Sequence, residues 1–406
     1  MECDAQVLWD HDAFTSYDFG PSHPLRPLRL ELTMALAAEL GVLRRATVVA
    51  PTAADDATLE LVHDPLYVGA VKRAPEDWLG RLSQRYGLGT GDNPIFAGMH
   101  ASAALVTGAT VDAARAVWEG RAAHAVNISG GLHHAMRDRA SGFCVYDDPA
   151  VAIAWLLAAG AQRVAYVDVD VHHGDGVQAA FYDDPRVLTV SLHESGRTLF
   201  PGTGFAGEVG RGAGVGMSVN VALPAGTGDT GWLRAFGAVV PPVLRAFRPE
   251  VLVTQHGCDT HALDPLAHLR MSVDGQRVGL RWLHALAHEL AGGRWVAVGG
   301  GGYEAVQVVP RAWTHLLAEV TGGGTDATDG ATPNAWRELV ASRSAVLAPT
   351  AMSDGGAPEE DPWPGGLLSA GVPLRDTLDE SIAATRSAVF PLLGLDADAA
   401  ADPFGR

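Results

Sequence analysis

The chain has 406 residues and a formal net charge of -18, from 29 basic and 47 acidic side chains; it lacks the clustered Lys and Arg on which phosphate-backbone binding is built, and its field favours cationic or peptide partners. At 47% hydrophobic and 19% charged residues it is a globular chain rather than a disordered or fibrous one. Cys3, Cys144 and Cys258 are too few for a disulfide framework, and neither a basic leader nor an apolar run of roughly 18 residues is present, so a cytoplasmic protein without membrane or nucleic-acid partners is expected.

From about Arg26 to Val320, strand-like apolar runs alternate with helix-like ones, the pattern of a parallel sheet covered on both faces. The predicted strands are His124–Ser129, Arg163–Asp168, Val187–Leu192, Met217–Leu223, Glu250–Gln255 and Arg294–Val298. Asn93-Pro94 and Asp148-Pro149 each read as a capped helix start with proline in the first turn, and Gly160 closes the second of these helices. Pro241-Pro242 is expected to kink or split the helix before Glu250. After Gly322 the chain turns to Gly, Pro and acidic residues, notably over 353–366, followed by a helical pattern over 374–390. This divides it into a catalytic unit, 1–321, and an appendage, 322–406.

Four predicted strands end in polar, glycine-bearing segments: 129–134, 168–175, 256–259 and 299–303. In an open parallel sheet the carboxyl ends of neighbouring strands line one crevice, so these segments should converge. Asp168, Asp170 and His172 alternate, which on extended backbone presents them to one side. Two carboxylates and an imidazole suit Zn²⁺ or Fe²⁺ and leave a position open for water, and Asp170, His172 and Asp259 are the chosen three. Asp168 and Asp175 then remain to accept hydrogen bonds from His133 and His134, which fixes tautomers and raises basicity. Gly299–Gly302 reads as a flexible turn that makes Tyr303 a mobile hydroxyl donor beside the metal.

Other motifs are set aside. Residues 202–207 match GxGxxG but open no helix, so no dinucleotide site is expected. Cys144 and Cys258 read as buried structural thiols. His284 and His288, four apart on a helical pattern, have no third ligand in view and read as solvated or packed.

The ordered segments His23–Pro27, Tyr86–Gly89, Gly130–Ala135, Ser141–Cys144, Asp168–Asp175, Val190–His193, Phe200–Gly204, Gly257–Thr260 and Gly302-Tyr303 resemble the zinc-dependent histone deacetylase superfamily, and within it the bacterial acetoin utilisation deacetylases. The resemblance covers roughly the first 320 residues and implies a three-layer α/β/α fold with a parallel sheet of eight strands, two more than the pattern predicts. It implies that Asp170, His172 and Asp259 hold Zn²⁺, that His133 pairs with Asp168 and His134 with Asp175, and that His134 is the general base. It also implies that Gly142, Phe143 and Phe200 flank an acyl-lysine channel, that Asp92 holds substrate backbone at the rim, and that Leu266 floors the pocket. A structural K⁺ would be held by Asp168, Asp170, His172, Ser191 and Leu192, and Arg29 would guard an acetate exit. Leu132 stands where eukaryotic members have Trp, which widens the pocket wall, and Met217 where many have Tyr, which puts a second K⁺ site in doubt.

The implied reaction is metal-assisted removal of acetyl groups from lysine, with His134 as base and Tyr303 holding the oxyanion. Substrates would be acetylated proteins or peptides, acetyl-CoA synthetase among them. A two-manganese ureohydrolase related to arginase, an acetylpolyamine deacetylase and a scaffold that has lost its chemistry are the competing readings.

Overall fold

The computed structural model describes residues 5–77, 80–323, 328–356 and 377–399. Eight strands form one parallel sheet: β1 (Ala5–Leu8), β2 (Ala46–Val49), β3 (His124–Asn127), β4 (Val164–Asp168), β5 (Val187–Glu194), β6 (Ser218–Leu223), β7 (Val251–Gln255) and β8 (Trp295–Val298). Their spatial order is β2-β1-β3-β8-β7-β4-β5-β6. Strands β3, β4, β5, β7 and β8 are buried at every position, as strands are when helices cover both faces. The two strands that the pattern does not reveal are β1 and β2. Each is four residues long, and β2 has no buried position that would mark a face.

Three local expectations are corrected. The helix Asp148–Ala158 takes its cap one residue earlier, from Asp147, whose carboxylate accepts from Ala150 N. Asp148 is thereby released to accept from the backbone N–H groups of Gly131 and Leu132 at 3.0 and 2.8 Å, and to receive the Thr110 hydroxyl. Asn93-Pro94 opens no helix; the next begins at Met99 after Gly98 in the left-handed region. The helix Asp229–Phe247 runs unbroken through Pro241 and Pro242. Each proline costs about 3 kcal/mol, but a buried face that includes Trp232, Phe236, Val240 and Leu244 returns roughly 1.5–3 kcal/mol per large side chain.

The described parts of the last 85 residues, counted from 322 to 406, pack on the sheet layers. Helix Asn334–Arg343 lies against helix Leu28–Glu39, and Trp336 Nε1 donates to Leu32 O at 2.9 Å within a small core of Leu32, Leu36, Val306, Val340 and Met352. Helix Thr377–Val389 covers β6, where the Thr385 hydroxyl donates to Asn220 O at 2.6 Å. Cys3, the linker stretch from 357 onward and the start of the helical pattern at 374–376 lie outside the described residues.

Candidate active site

The four polar segments follow β3, β4, β7 and β8, which are the four contiguous central strands of the sheet. Each strand delivers its segment to the carboxyl edge, so residues nearly 170 positions apart, such as Gly130 and Gly299, meet there through topology alone.

Asp170, His172 and Asp259 are fully or almost fully buried and offer ligand atoms that all lie within 4.8 Å of one another. His172 Nδ1 stands 3.1 Å from Asp170 Oδ1 and 3.2 Å from Asp259 Oδ2. Donors about 2.0–2.1 Å from a tetrahedral ion are about 3.3 Å apart, so these spacings fit such a shell. Burial, followed by the Asp170 charge, pushes Asp259 up to about 7. Two carboxylates crowded in this way call for a cation. Burial works against a charge on His172, yet its bonds to Asp170 and Asp259 carry it up to about 10. Backbone and amide donors steady the shell: Gln255 Nε2 and Gly301 N each donate to Asp170 Oδ2 at 2.7 Å, and Val171 N donates to Asp259 Oδ1 at 2.9 Å.

Glycine is required where the chain touches these carboxylates. A Cβ on Gly257 would lie 2.0 Å from Asp170 Oδ2, and one on Gly301 would lie 1.9 Å from Asp259 Oδ2. The 299–302 run is therefore held rather than loose: Arg29 Nη1 donates to the carbonyls of Gly300 and Gly302 at 2.8 and 3.1 Å, and Tyr303 N donates to Asp264 Oδ2 at 2.8 Å. Close approach, and not mobility, explains the glycines. Arg29 also faces the Trp313 ring at 4.8 Å and lines a small inner cavity with Ser129 and Leu132. Leu132 thus lines that inner cavity.

His133 Nδ1–H donates to Asp168 Oδ2 at 2.7 Å and His134 Nδ1–H to Asp175 Oδ1 at 2.6 Å, with the two Nε2 atoms 3.1 Å apart. Asp168 is itself fixed by the Tyr166 hydroxyl at 2.7 Å. Burial opposes a charge on His133, but Asp168 and Asp170 outweigh it and raise the ring to about 10. Burial and then the His133 charge push His134 down to about 4, against the pull of Asp175. Gly142 lies against His134, where a Cβ would come within 2.5 Å of the ring.

A cavity of about 220 Å³ opens beside these groups, lined by Asp92, Gly142, Phe143, Leu199, Phe200 and Leu266 and ending on His134, His172 and Tyr303. Phe143 meets Tyr303 edge-on at 5.6 Å, and its carbonyl accepts from the Tyr17 hydroxyl at 2.9 Å. Burial, then Asp259 and Asp170, hold the Tyr303 phenol well above its usual range, so it stays a donor at neutral pH. His173 pins the Phe200–Gly204 loop through Thr203 Oγ1 at 2.8 Å. Ser191 stands opposite Asp168 in the β4–β5 register. Cys144 and Cys258 are both free and buried.

The profile of the histone deacetylase domain matches residues 23–320. The chain belongs to the histone deacetylase family. It is 45% identical over 311 residues to the acetoin utilization protein AcuC of Bacillus subtilis (strain 168), covering 76% of this chain and 80% of that protein. It is 35% identical over 339 residues to the AcuC of Staphylococcus xylosus, covering 83% and 88%. A crystal structure of an HDAC homolog from Aquifex aeolicus superposes with a TM-score of 0.78 at 28% identity, covering 94% of this chain and all of that one. As a deacetylase of this metal-dependent family, the chain acts on an acetylated substrate. Among the described residues no helix is long and apolar enough to cross a membrane.

Sequence reasoning missed Gln255, which donates to Asp170, Tyr166, which donates to Asp168, Asp148, which holds the Gly131 and Leu132 backbone, and Asp264, which accepts from Tyr303 N. Gln255 carried a signal as the polar end of an apolar strand run. Asp264 carried none, because its partner Tyr303 is 39 residues away.

Proposed function

We propose that this deacetylase is zinc-dependent and removes acetyl groups from lysine side chains of proteins or peptides, with residues 1–321 as the catalytic unit. The channel carries this reading: apolar walls at Phe143, Phe200 and Leu266 suit the methylene stem of an acyl-lysine, and they end at a buried donor set, a histidine base and a tyrosine hydroxyl.

Asp170, His172 and Asp259 would hold the ion, Zn²⁺ or Fe²⁺, which supplies Lewis-acid polarisation of the acyl carbonyl and an acidified water. His134, neutral at pH 7 and oriented by Asp175, accepts the proton of the attacking water. The Tyr303 hydroxyl donates to the carbonyl oxygen as charge develops on it, and its backbone N–H on Asp264 fixes where it stands. His133, charged against Asp168, returns a proton to the departing amine through the Nε2 contact with His134. Asp92 at the mouth accepts substrate backbone N–H groups, and Phe143 and Phe200 exclude water from the stem. A structural K⁺ at Asp168, Asp170, His172, Ser191 and Leu192 would brace the same strand ends.

A two-manganese ureohydrolase needs a second donor set in the crevice, whereas one group of three gathers there among the described residues. The test is a side-by-side assay of zinc-loaded protein on an acetyl-lysine peptide, an acetylpolyamine and arginine. Acetate should be released fastest from the peptide. Faster turnover of the acetylpolyamine, or urea from arginine, would overturn the reading.

A further inference from the structure

His124 opens β3 at the amino edge of the sheet, the edge opposite the candidate active site, and is paired in register with Trp295 at the start of β8. Helix Val273–Ala291 ends beside this edge, where the chain turns into β8, and carries His284 and His288 four residues apart, hence on one face. The pattern leaves those two histidines without a third; the fold supplies it from 160 residues upstream of His284, the difference between positions 284 and 124.

The three rings turn the same atom inward. His288 Nε2 is 3.0 Å from His284 Nε2 and 3.2 Å from His124 Nε2, and the three imidazoles together form a group whose ligand atoms all lie within 4.8 Å. The outer nitrogens are committed elsewhere. His284 Nδ1 is 2.6 Å from the Glu319 carboxylate and His124 Nδ1 is 3.0 Å from the Val320 carbonyl. Both partners only accept, so Nδ1 carries a proton on each ring and Nε2 is the nitrogen left to face the other two rings. An imidazole tied at the back to a carboxylate or carbonyl, with the other nitrogen facing its fellows, is the arrangement that metal-ligating histidines adopt. His284 is further held by stacking on Trp295, with centroids 5.1 Å apart and planes at 18°. Gly293, at φ 83°, keeps the turn clear, since a Cβ there would come within 3.2 Å of the His288 ring.

We propose that His124, His284 and His288 form a second metal site, a three-histidine centre for a zinc-class transition ion, separate from the Asp170–His172–Asp259 site. Spacings of 3.0 and 3.2 Å between donors match the edge of about 3.3 Å expected for nitrogens on a tetrahedral shell. Three neutral imidazoles favour zinc, cobalt, nickel or copper and reject Mg²⁺ and Ca²⁺, which require oxygen. His288 is exposed, so the fourth position opens to water. The ion would clamp β3 to helix Val273–Ala291, with Glu319 of helix Val309–Thr321 behind one ligand. The competing account is a hydrogen-bonded trio in which the His288 Nε2–H is shared between two lone pairs.

The experiment uses the full chain carrying Asp170→Ala and Asp259→Ala, so that the first centre is silent. Zn²⁺ and, separately, Co²⁺ are titrated against a micromolar-affinity chelator, with metal content, the cobalt d–d spectrum and thermal unfolding as readouts. One equivalent should be retained, with a tetrahedral cobalt spectrum and a zinc-dependent rise in unfolding temperature. Adding His288→Ala should abolish all three, and Glu319→Gln should weaken binding about 10–100-fold. In the otherwise native chain, His288→Ala should lower zinc from two equivalents to one, which keeps the test decisive if the silenced background folds poorly. No retained ion in either background, or an ion count that His288→Ala leaves unchanged, would establish the hydrogen-bonded trio instead.

Discussion

His133 and His134 face each other at 3.1 Å between Nε2 atoms, each tied from behind by its own carboxylate. One proton fits between the rings and two do not, so the pair divides into a charged His133 and a neutral His134.

This division sets the pH dependence. The folded pKa of His134 is depressed to about 4, below its ordinary 6.5, by burial and by His133. A base works when unprotonated, so its activity is present above its pKa and is lost as the pH falls through it. The acid limb of kcat/KM on an acetyl-lysine peptide should therefore be flat from neutral pH to about 5. An inflection close to the ordinary histidine value would show that His134 does not titrate as the geometry requires.

Tyr303→Phe removes a hydroxyl whose work is confined to the transition state. Loss of one such donor typically costs about 100-fold or more in kcat. Zinc content and unfolding temperature should stay at wild-type values, since Tyr303 contributes its backbone N–H, not its ring oxygen, to the loop's anchorage. Full activity of this variant would remove Tyr303 from the chemistry.

Trp336→Ala tests how the chain beyond 321 is joined to the rest. Trp336 is 1% exposed, donates to Leu32 O and fills a core shared with helix Leu28–Glu39. Its truncation should cost about 3–5 kcal/mol, read as a lowered unfolding midpoint with kcat preserved at 25 °C. An unchanged midpoint would mean that helix Asn334–Arg343 contributes nothing to stability.

The site was legible because four central strands each end an apolar run on a polar cluster, and strand ends in a parallel sheet meet at one edge. Asp170, His172, Asp259 and the His–Asp pairs stand out for that reason. Strands Ala5–Leu8 and Ala46–Val49 did not: each is only four residues long, too short for a periodicity to read, and the second lies on the sheet edge with no buried position. Asp147 and Asp148 are chemically identical in sequence, and only the fold decides which one caps the helix and which one cradles the Gly131 turn. His124 looked like an ordinary strand residue because its partners arrive on a helix from the far half of the chain.

The central claim is that deacylation depends on the buried donor set. Asp259→Ala removes one of its three donors, and the decisive measurement is acetate release from an acetyl-lysine peptide by this variant and by the wild type, both at saturating Zn²⁺. The wild type should turn over, and the variant should lose at least about two orders of magnitude in kcat/KM because the polarising ion is no longer held in place. Wild-type turnover by Asp259→Ala would contradict the claim.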